Sequence, residues 1–163
     1  MSGVFATDED SAPPIPEAQV TDDPYDLARF VAAQDAQGTY SQALAELNRG
    51  RKTSHWMWFV FPQIAGLGSS PTAVRYAVAS LDEAEAYLSH PVLGPRLMES
   101  TQALLSLDGN DPVAVFGGID ARKLQSCMTL FNRAAPQEPW FQAVLDRYYG
   151  GVEDPATTSI LAG

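Results

Sequence analysis

The sequence predicts an all-α fold, a compact single domain of about seven short helices around a buried aromatic segment. Three observations support this prediction. Four helix-capping residues each stand directly before a proline, five windows have the spacing of an amphipathic helix, and the run Trp56–Phe61 is apolar without a break. With 163 residues, of which 45% are hydrophobic, the chain is long enough to bury a core of its own.

The first 22 residues differ from the rest in composition. They are acidic, contain the proline-rich run Ser11–Pro16, and offer too few apolar groups to fold by themselves. We predict an acidic, flexible tail over residues 1–22 and a helical domain over residues 23–163. Because the tail has no basic residue and no long apolar run, we expect no signal peptide and a cytoplasmic protein. Deleting the tail should change the melting temperature by no more than about two degrees.

Capping residues mark where the helices begin. A serine or aspartate side chain accepts a hydrogen bond from the first turn, and a proline at the next position loses no helical bond. This pair occurs at Asp23-Pro24, Ser70-Pro71, Asp111-Pro112 and Asp154-Pro155. Ser80 and Glu83 add a capping box before a further helix.

The hydrophobic pattern places the helices along the chain. The spacing i, i+3, i+4 and i+7 occurs in windows that begin at Leu27, Tyr40, Val74, Leu124 and Phe141. A sixth candidate helix spans residues 92–107. Glycines of the kind that end helices follow at Gly50, Gly117-Gly118 and Gly150-Gly151. No hairpin turn of the Asn-Gly type lies between alternating strands, so the pattern favours helices throughout.

The aromatic segment Trp56–Phe61 has to be covered on both faces, because six consecutive apolar side chains cannot all be solvated. We expect a short buried helix that ends near Val60, since Pro62 disfavours the helical conformation at Phe61. Trp58 is expected to lie in the middle of the core, so that Trp58→Ala would cost about 3–5 kcal/mol.

Composition and motifs exclude several classes of function. The net charge of −10 argues against binding to nucleic acid or to an anionic membrane. The single cysteine, Cys127, excludes an internal disulfide and leaves no metal cluster of the usual Cys/His spacing, so we expect no metal. The chain also lacks the loop and helix motifs of nucleotide, calcium and hydrolase sites, and we expect no cofactor.

Polar residues beside the aromatic segment suggest a site. The candidate ligand-binding residues are Lys52, His55, Trp56, Trp58, Gln63 and Lys123. The lysines would pair with an anion, a tryptophan would form a stacking wall, and His55 would be the catalytic acid or base. Each residue also has a plainer interpretation. His55 fits a histidine bonded to a backbone carbonyl at the rim of the core, the tryptophans fit core filling, and Asp120 fits an N-cap for the helix that carries Lys123.

Several stretches match one known family: Arg29–Gln34, Ala43–Leu47, Ser54–Phe59, Gly66–Gly68, His90–Gly94, Ser126–Phe131 and Asp154–Thr157. On these stretches the chain resembles, over about residues 24–161, the family catalogued as domain of unknown function 1810. The run His55–Trp58 is the most specific of these. The resemblance implies a compact, mainly helical fold, and it assigns no activity.

A weaker similarity to another group rests on Phe30 and Gln34 in one helix, on a His-Pro-x-Leu motif at His90, and on the turn from Phe116 to Asp120. In these features the chain is similar to the helical NADAR group, which handles ADP-ribose-type and riboflavin-pathway N-glycosides. The acidic catalytic motif of that group is not matched, so no catalytic residue is carried over.

Two hypotheses about function follow. In the first, the protein binds a small anionic ligand, nucleotide-like or ADP-ribose-like, and hydrolysis of that ligand is an open alternative to binding alone. In the second, it is a non-catalytic interaction protein whose aromatic segment is entirely core. The two differ in geometry, because a ligand site requires Lys52, His55 and Lys123 to converge on one concave pocket.

Overall fold

The computed structural model describes residues 23–163, and the tail predicted over residues 1–22 lies outside them. The described chain is helical and contains no β-strand, which confirms the all-α prediction. Its helices are α1 (Ala28–Asp35), α2 (Thr39–Arg49), α3 (Met57–Val60), α4 (Pro71–Arg75), α5 (Leu81–Ser89), α6 (Leu93–Leu105), α7 (Pro112–Ala134), α8 (Pro139–Tyr149) and α9 (Pro155–Ala162). A short 3₁₀ turn, Ala36–Gly38, joins α1 to α2.

Helix α7 is the centre of the fold. It packs against α5, α8 and α9, while α6 packs against α2, α5 and α8. The predicted apolar stripe of α7 is fully buried at Leu124, Cys127, Met128 and Phe131. The periodicity therefore identified the face of this helix that forms the core.

Three of the four predicted cap–proline pairs begin helices as expected. The side chains of Ser70, Asp111 and Asp154 accept hydrogen bonds from the first turns of α4, α7 and α9. In each helix the proline occupies the first helical position, where an N–H would have no partner within the helix.

The fourth pair, Asp23-Pro24, is not an N-cap pair, and that prediction is wrong. Helix α1 begins at Ala28, and a turn separates it from Pro24. Asp23 nevertheless caps the helix from a distance, because its two carboxylate oxygens accept the N–H groups of Leu27 at 2.7 Å and Ala28 at 3.0 Å.

The window beginning at Val74 does not form one helix, and this prediction is also wrong. Helix α4 ends at Arg75, and Val78 instead forms an isolated parallel bridge with Ile64. The guanidinium of Arg29 binds the carbonyls of Arg75 and Ala77 and forms an ion pair with Glu83 at 3.0 Å. These tertiary contacts stabilise a non-helical connection between two short helices, and they override the helical periodicity of the window.

The aromatic segment forms the expected short helix, α3, which ends at Val60. Trp56, Met57, Val60 and Phe61 are buried, as a central segment requires. Trp58, however, is only half-buried. The expectation that Trp58 fills the middle of the core is therefore wrong, and the core tryptophan is Trp56.

Candidate functional site

A buried carboxylate in α2 organises the loop that precedes α3. Glu46 is fully buried, and its Oε1 accepts hydrogen bonds from the N–H groups of Thr53 at 2.8 Å and Ser54 at 3.0 Å. The same oxygen accepts the indole N–H of Trp56 at 2.9 Å, and Oε2 accepts the Gln42 amide at 2.9 Å. One side chain thus fixes the backbone of residues 53–54 and the orientation of the core tryptophan.

Glu46 has no cationic partner among the described residues, yet it is held as a carboxylate. Burial by itself would raise the pKa of Glu46, but hydrogen bonds from Ser54, Thr53, Gln42 and Trp56 outweigh burial and hold that pKa well below its ordinary range. The loop is therefore built around a permanent negative charge at neutral pH.

Lys52 lies at the start of this loop and is fixed at both ends. Its backbone N–H donates to the carbonyl of Val115 at 2.8 Å, and its Nζ lies 2.8 Å from a carboxylate oxygen of Asp120. The Nζ also lies 5.1 Å from the centroid of the Trp56 ring. The side chain is only 8% exposed, so the ammonium is largely shielded from water.

Helix α7 is broken at Gly117, and the break decides where Asp120 lies. Gly117 has φ 80° and ψ 168°, a conformation that is essentially restricted to glycine. The helix restarts after it, so Asp120 lies within the first turn of the second part and is not the N-cap that the sequence suggested. Its carboxylate instead accepts Lys52 through one oxygen and lies 3.6 Å from Lys123 Nζ through the other.

Lys123 completes the cluster from one turn further along α7. Its Nζ lies 4.2 Å from the centroid of the Trp58 ring, within the range of a cation–π contact. Lys52 and Lys123 are the only two lysines among the 163 residues, and both contact Asp120. Two ammonium groups therefore share the single carboxylate of Asp120.

These side chains line one cavity of about 450 Å³, which we call the lysine pocket. Its lining includes Lys52, His55, Trp58, Asp120 and Lys123, so the three predicted residues Lys52, His55 and Lys123 do meet at one concave surface. His55 is exposed, and within residues 23–163 its ring makes no hydrogen bond. The backbone-carbonyl contact considered for His55 is therefore not formed in the described part of the chain.

The other two candidates lie elsewhere. Trp56 is completely buried and its indole N–H is already bonded to Glu46. Gln63 lines a second cavity of about 360 Å³, which we call the glycine-loop pocket because the turn through Gly66 and Gly68 forms one side of it. Trp58 lines both pockets.

A larger cavity, about 700 Å³, lies between the start of α1 and the end of α5. Its lining includes Tyr25, Val31, Ala86 and His90, and among the described residues it holds no lysine or arginine. Another cavity, about 620 Å³, also has charged lining residues, among them Arg29, Arg75 and Glu83. Neither of these two larger cavities contains a lysine within residues 23–163, so both lysines belong to the lysine pocket. In the part of the chain that is described, no three His, Cys, Asp or Glu side chains are grouped to hold a metal ion, and no helix is long and apolar enough to cross a membrane.

The sequence did not reveal the roles of Glu46 and Asp120, the two carboxylates that organise the site. Glu46 was signalled by its spacing, three residues after Ala43, which puts an acidic residue beside the apolar stripe of α2. Asp120 was signalled by its spacing of three from Lys123, but its pairing with Lys52 depends on the break at Gly117. Neither spacing indicates the role of its carboxylate until the contacts between the packed helices are known.

Residues 23–163 form a compact helical fold with a two-lysine pocket beside a half-buried tryptophan. The chain belongs to the family described as "Protein of unknown function (DUF1810)", which matches residues 24–161. The conserved hypothetical protein Rv1873 from Mycobacterium tuberculosis, known from a crystal structure at 1.38 Å, is 52% identical. The two align with a TM-score of 0.83 over 86% of this chain and 99% of that chain. No curated protein matches the sequence significantly.

Proposed function

We propose that this protein binds a small anionic ligand in the lysine pocket, and that the anion is a phosphate group of a nucleotide-like or ADP-ribose-like molecule. The observation that supports the proposal is the convergence of both lysines of the chain, with His55 and Trp58, on one cavity. A non-catalytic protein whose aromatic segment is entirely core would give no reason for Trp58 to line this surface.

The charges of the pocket suit an anion. Lys52 is satisfied by Asp120 at 2.8 Å, whereas Lys123 is held more loosely, at 3.6 Å from the same carboxylate. A phosphate can therefore take hydrogen bonds from Lys123 without separating the tight Lys52–Asp120 pair. Because the side chains of Lys52 and Lys123 are only 8% and 21% exposed, a charge-assisted contact to either ammonium is stronger than it would be on an open surface.

His55 and Trp58 add the groups that a reaction on such a ligand would use. The imidazole of His55 lines the pocket and has no hydrogen-bond partner among the described residues, so it is available to move a proton at a bound ligand. Trp58 offers an aromatic surface against which a ligand can pack. Hydrolysis of the bound ligand is the reaction we propose to test, with His55 as acid or base.

Binding at the lysine pocket can be followed by NMR, because selective ¹³Cε labelling of lysine gives only two side-chain signals, those of Lys52 and Lys123. Titration of the full chain with inorganic phosphate, pyrophosphate and ADP-ribose should shift both signals, Lys123 more than Lys52. Lys123→Met should weaken binding about ten-fold or more, as expected for the loss of one charge-assisted hydrogen bond. Turnover of ADP-ribose is followed by chromatography on the same samples.

A matched control is available one residue away. Arg122 is exposed, is not part of the pocket lining, and carries the same charge, so Arg122→Met should leave each affinity nearly unchanged. Equal losses in Lys123→Met and Arg122→Met would mean that the anions respond only to net charge, and the proposed site would be wrong. Absence of binding by every anion at millimolar concentration would also overturn it.

A further inference from the structure

We infer that the glycine-loop pocket is a second subsite, and that it binds a planar heteroaromatic ring carried by the same ligand whose phosphate occupies the lysine pocket. The inference rests on the proposed function and specifies its substrate class as a nucleoside phosphate. The observation that suggests it is that Trp58 lines both pockets, so that one indole is a common wall between a charged and an apolar cavity.

The chemistry of the second pocket differs from that of the first. Beside Trp58 it is lined by Tyr76, Ile64, Ala73 and Val74, and it contains no charged side chain within residues 23–163. Its volume of about 360 Å³ lies in the range of small-molecule pockets and can accept a ring of nucleobase size. A phosphate would be poorly solvated here, whereas the flat face of a heterocycle would replace water with aromatic contact.

The walls of this pocket are fixed before any ligand arrives. The ring of Tyr76 packs against Phe30 and Phe59, with ring centroids 5.9 Å and 5.3 Å apart. A Cβ on Gly68 would lie 2.8 Å from the Cβ of Ala73, so only glycine allows the loop to approach α4 this closely. A preformed cavity loses little conformational freedom when it is filled.

Gln63 gives the pocket a group that can recognise the edge of a ring. Its backbone carbonyl is held by the N–H of Val78 at 2.8 Å, which fixes its position on the loop. Its side-chain amide makes no hydrogen bond to another described residue, although it lines the pocket. A carboxamide has two donor hydrogens and one acceptor oxygen, the complement of the edge of a nucleobase.

The two pockets together favour a ligand in which a few bonds join a flat ring to a phosphate. A nucleoside phosphate has this form, because the ribose can pass around the edge of Trp58 while the base stacks beside it. Stacking of one base on an aromatic side chain should increase affinity about ten-fold or more over the same phosphate without a base.

The test compares ligands that differ only in the ring. Isothermal titration of the full chain with inorganic phosphate, ribose 5-phosphate and the four common nucleoside 5′-monophosphates should give at least one nucleotide that binds ten-fold more tightly than ribose 5-phosphate. Val74→Trp fills the pocket from a wall residue that is 63% exposed, so the variant should fold normally. It should reduce the affinity of that nucleotide to the affinity of ribose 5-phosphate, and Gln63→Leu should change the ranking of the four bases.

Thr72→Trp is the control, because Thr72 is exposed on the same short helix and does not line the pocket. Intermolecular NOEs from the base protons to Tyr76 and Val74 would place the ring directly. Equal affinities of all the nucleotides and ribose 5-phosphate, or base NOEs confined to the lysine pocket, would overturn the second subsite and leave the proposed function standing. If inorganic phosphate, ribose 5-phosphate and all four nucleotides fail to bind at millimolar concentration, both proposals fail.

Discussion

Lys123 Nζ lies 4.2 Å from the centroid of the Trp58 ring, so a cation from α7 rests on an aromatic ring from α3. The contact joins the second part of the broken helix to the short helix in the aromatic segment. Trp58 itself is only half-buried, and it lines both the lysine pocket and the glycine-loop pocket. The cation–π contact with Lys123 therefore lies beside the wall that the two pockets share.

The two tryptophans of the aromatic segment should differ in their effect on stability. Trp56→Ala removes a completely buried side chain and the indole N–H that Glu46 accepts, so it should lower the free energy of unfolding by about 3–5 kcal/mol. Trp58→Ala removes a half-buried ring and should cost less than half as much. Urea denaturation followed by circular dichroism gives both values, and equal costs would contradict the assignment of Trp56 to the core.

How far the sequence predicts this fold depends on whether an element is specified locally. Caps such as Ser70 and Asp154 act within one turn, and the hydrophobic pattern of α7 is long enough to be unambiguous. The sequence therefore predicted both features correctly. The window at Val74 had the same periodicity but is not one continuous helix, because Arg29 binds the carbonyls of Arg75 and Ala77 from a distant part of the chain. Periodicity cannot report such a contact.

The two histidines provide a matched pair of substitutions. His55 is exposed and makes no hydrogen bond to a described residue, so His55→Ala should change the free energy of unfolding by less than about 0.5 kcal/mol. The same substitution should abolish the thermal stabilisation caused by ADP-ribose if His55 serves the lysine pocket. Differential scanning fluorimetry with and without the ligand measures both effects.

His90→Ala is the control for this prediction. The Nδ1 of His90 accepts the N–H groups of Val92 and Leu93 at the start of α6, so its loss should cost about 1 kcal/mol, as for a helix cap. It should leave the ligand-induced stabilisation intact. A stabilisation that survives His55→Ala, or that disappears equally in both variants, would remove His55 from the site.

Only part of the candidate site could be predicted from the sequence, because the rest depends on tertiary contacts. Lys52, His55 and Trp58 lie close together along the chain, and their residue types alone suggested a site. Gln63 belongs to the same stretch but faces the other pocket, since the chain turns after α3. The ion pair between Asp120 and Lys52 forms after the break of α7 at Gly117. Neither a sequence motif nor the hydrophobic periodicity predicts this contact.

Glu46 should make stability depend on pH. Because its pKa is lowered in the folded state, the carboxylate stabilises the protein above its unfolded pKa of about 4.3, and this contribution is lost as pH falls toward the folded value. Glu46→Gln should cost about 2 kcal/mol at pH 7, since an amide nitrogen replaces one accepting oxygen. The difference between wild type and variant should then shrink between about pH 5 and pH 2.

Glu153→Gln is the comparison for the pH experiment. The Arg133 guanidinium holds the pKa of Glu153 below its ordinary value, but this pair is at the surface and should contribute at most about 1 kcal/mol. Urea denaturation at a series of pH values follows both variants. If the difference in free energy of unfolding between wild type and Glu46→Gln stays constant across the acid range, protonation of Glu46 is not the cause of the loss of stability at low pH.

Adjacent glycines in α7 give the last prediction, because only one of them needs to be glycine. Gly117 has φ 80° and ψ 168°, so Gly117→Ala should cost about 1–3 kcal/mol and shift the turn that carries Asp120. A Cβ on Gly118 meets nothing within 4 Å and the residue has ordinary helical geometry, so Gly118→Ala should be neutral or stabilising by up to about 1 kcal/mol.

Chemical denaturation measures the stabilities of both glycine variants, and the lysine ¹³Cε spectrum reports changes in the lysine pocket. In Gly117→Ala both lysine signals should move, because Lys52 and Lys123 share the displaced carboxylate of Asp120. Unchanged lysine signals in that variant would mean that the break in α7 does not position the site.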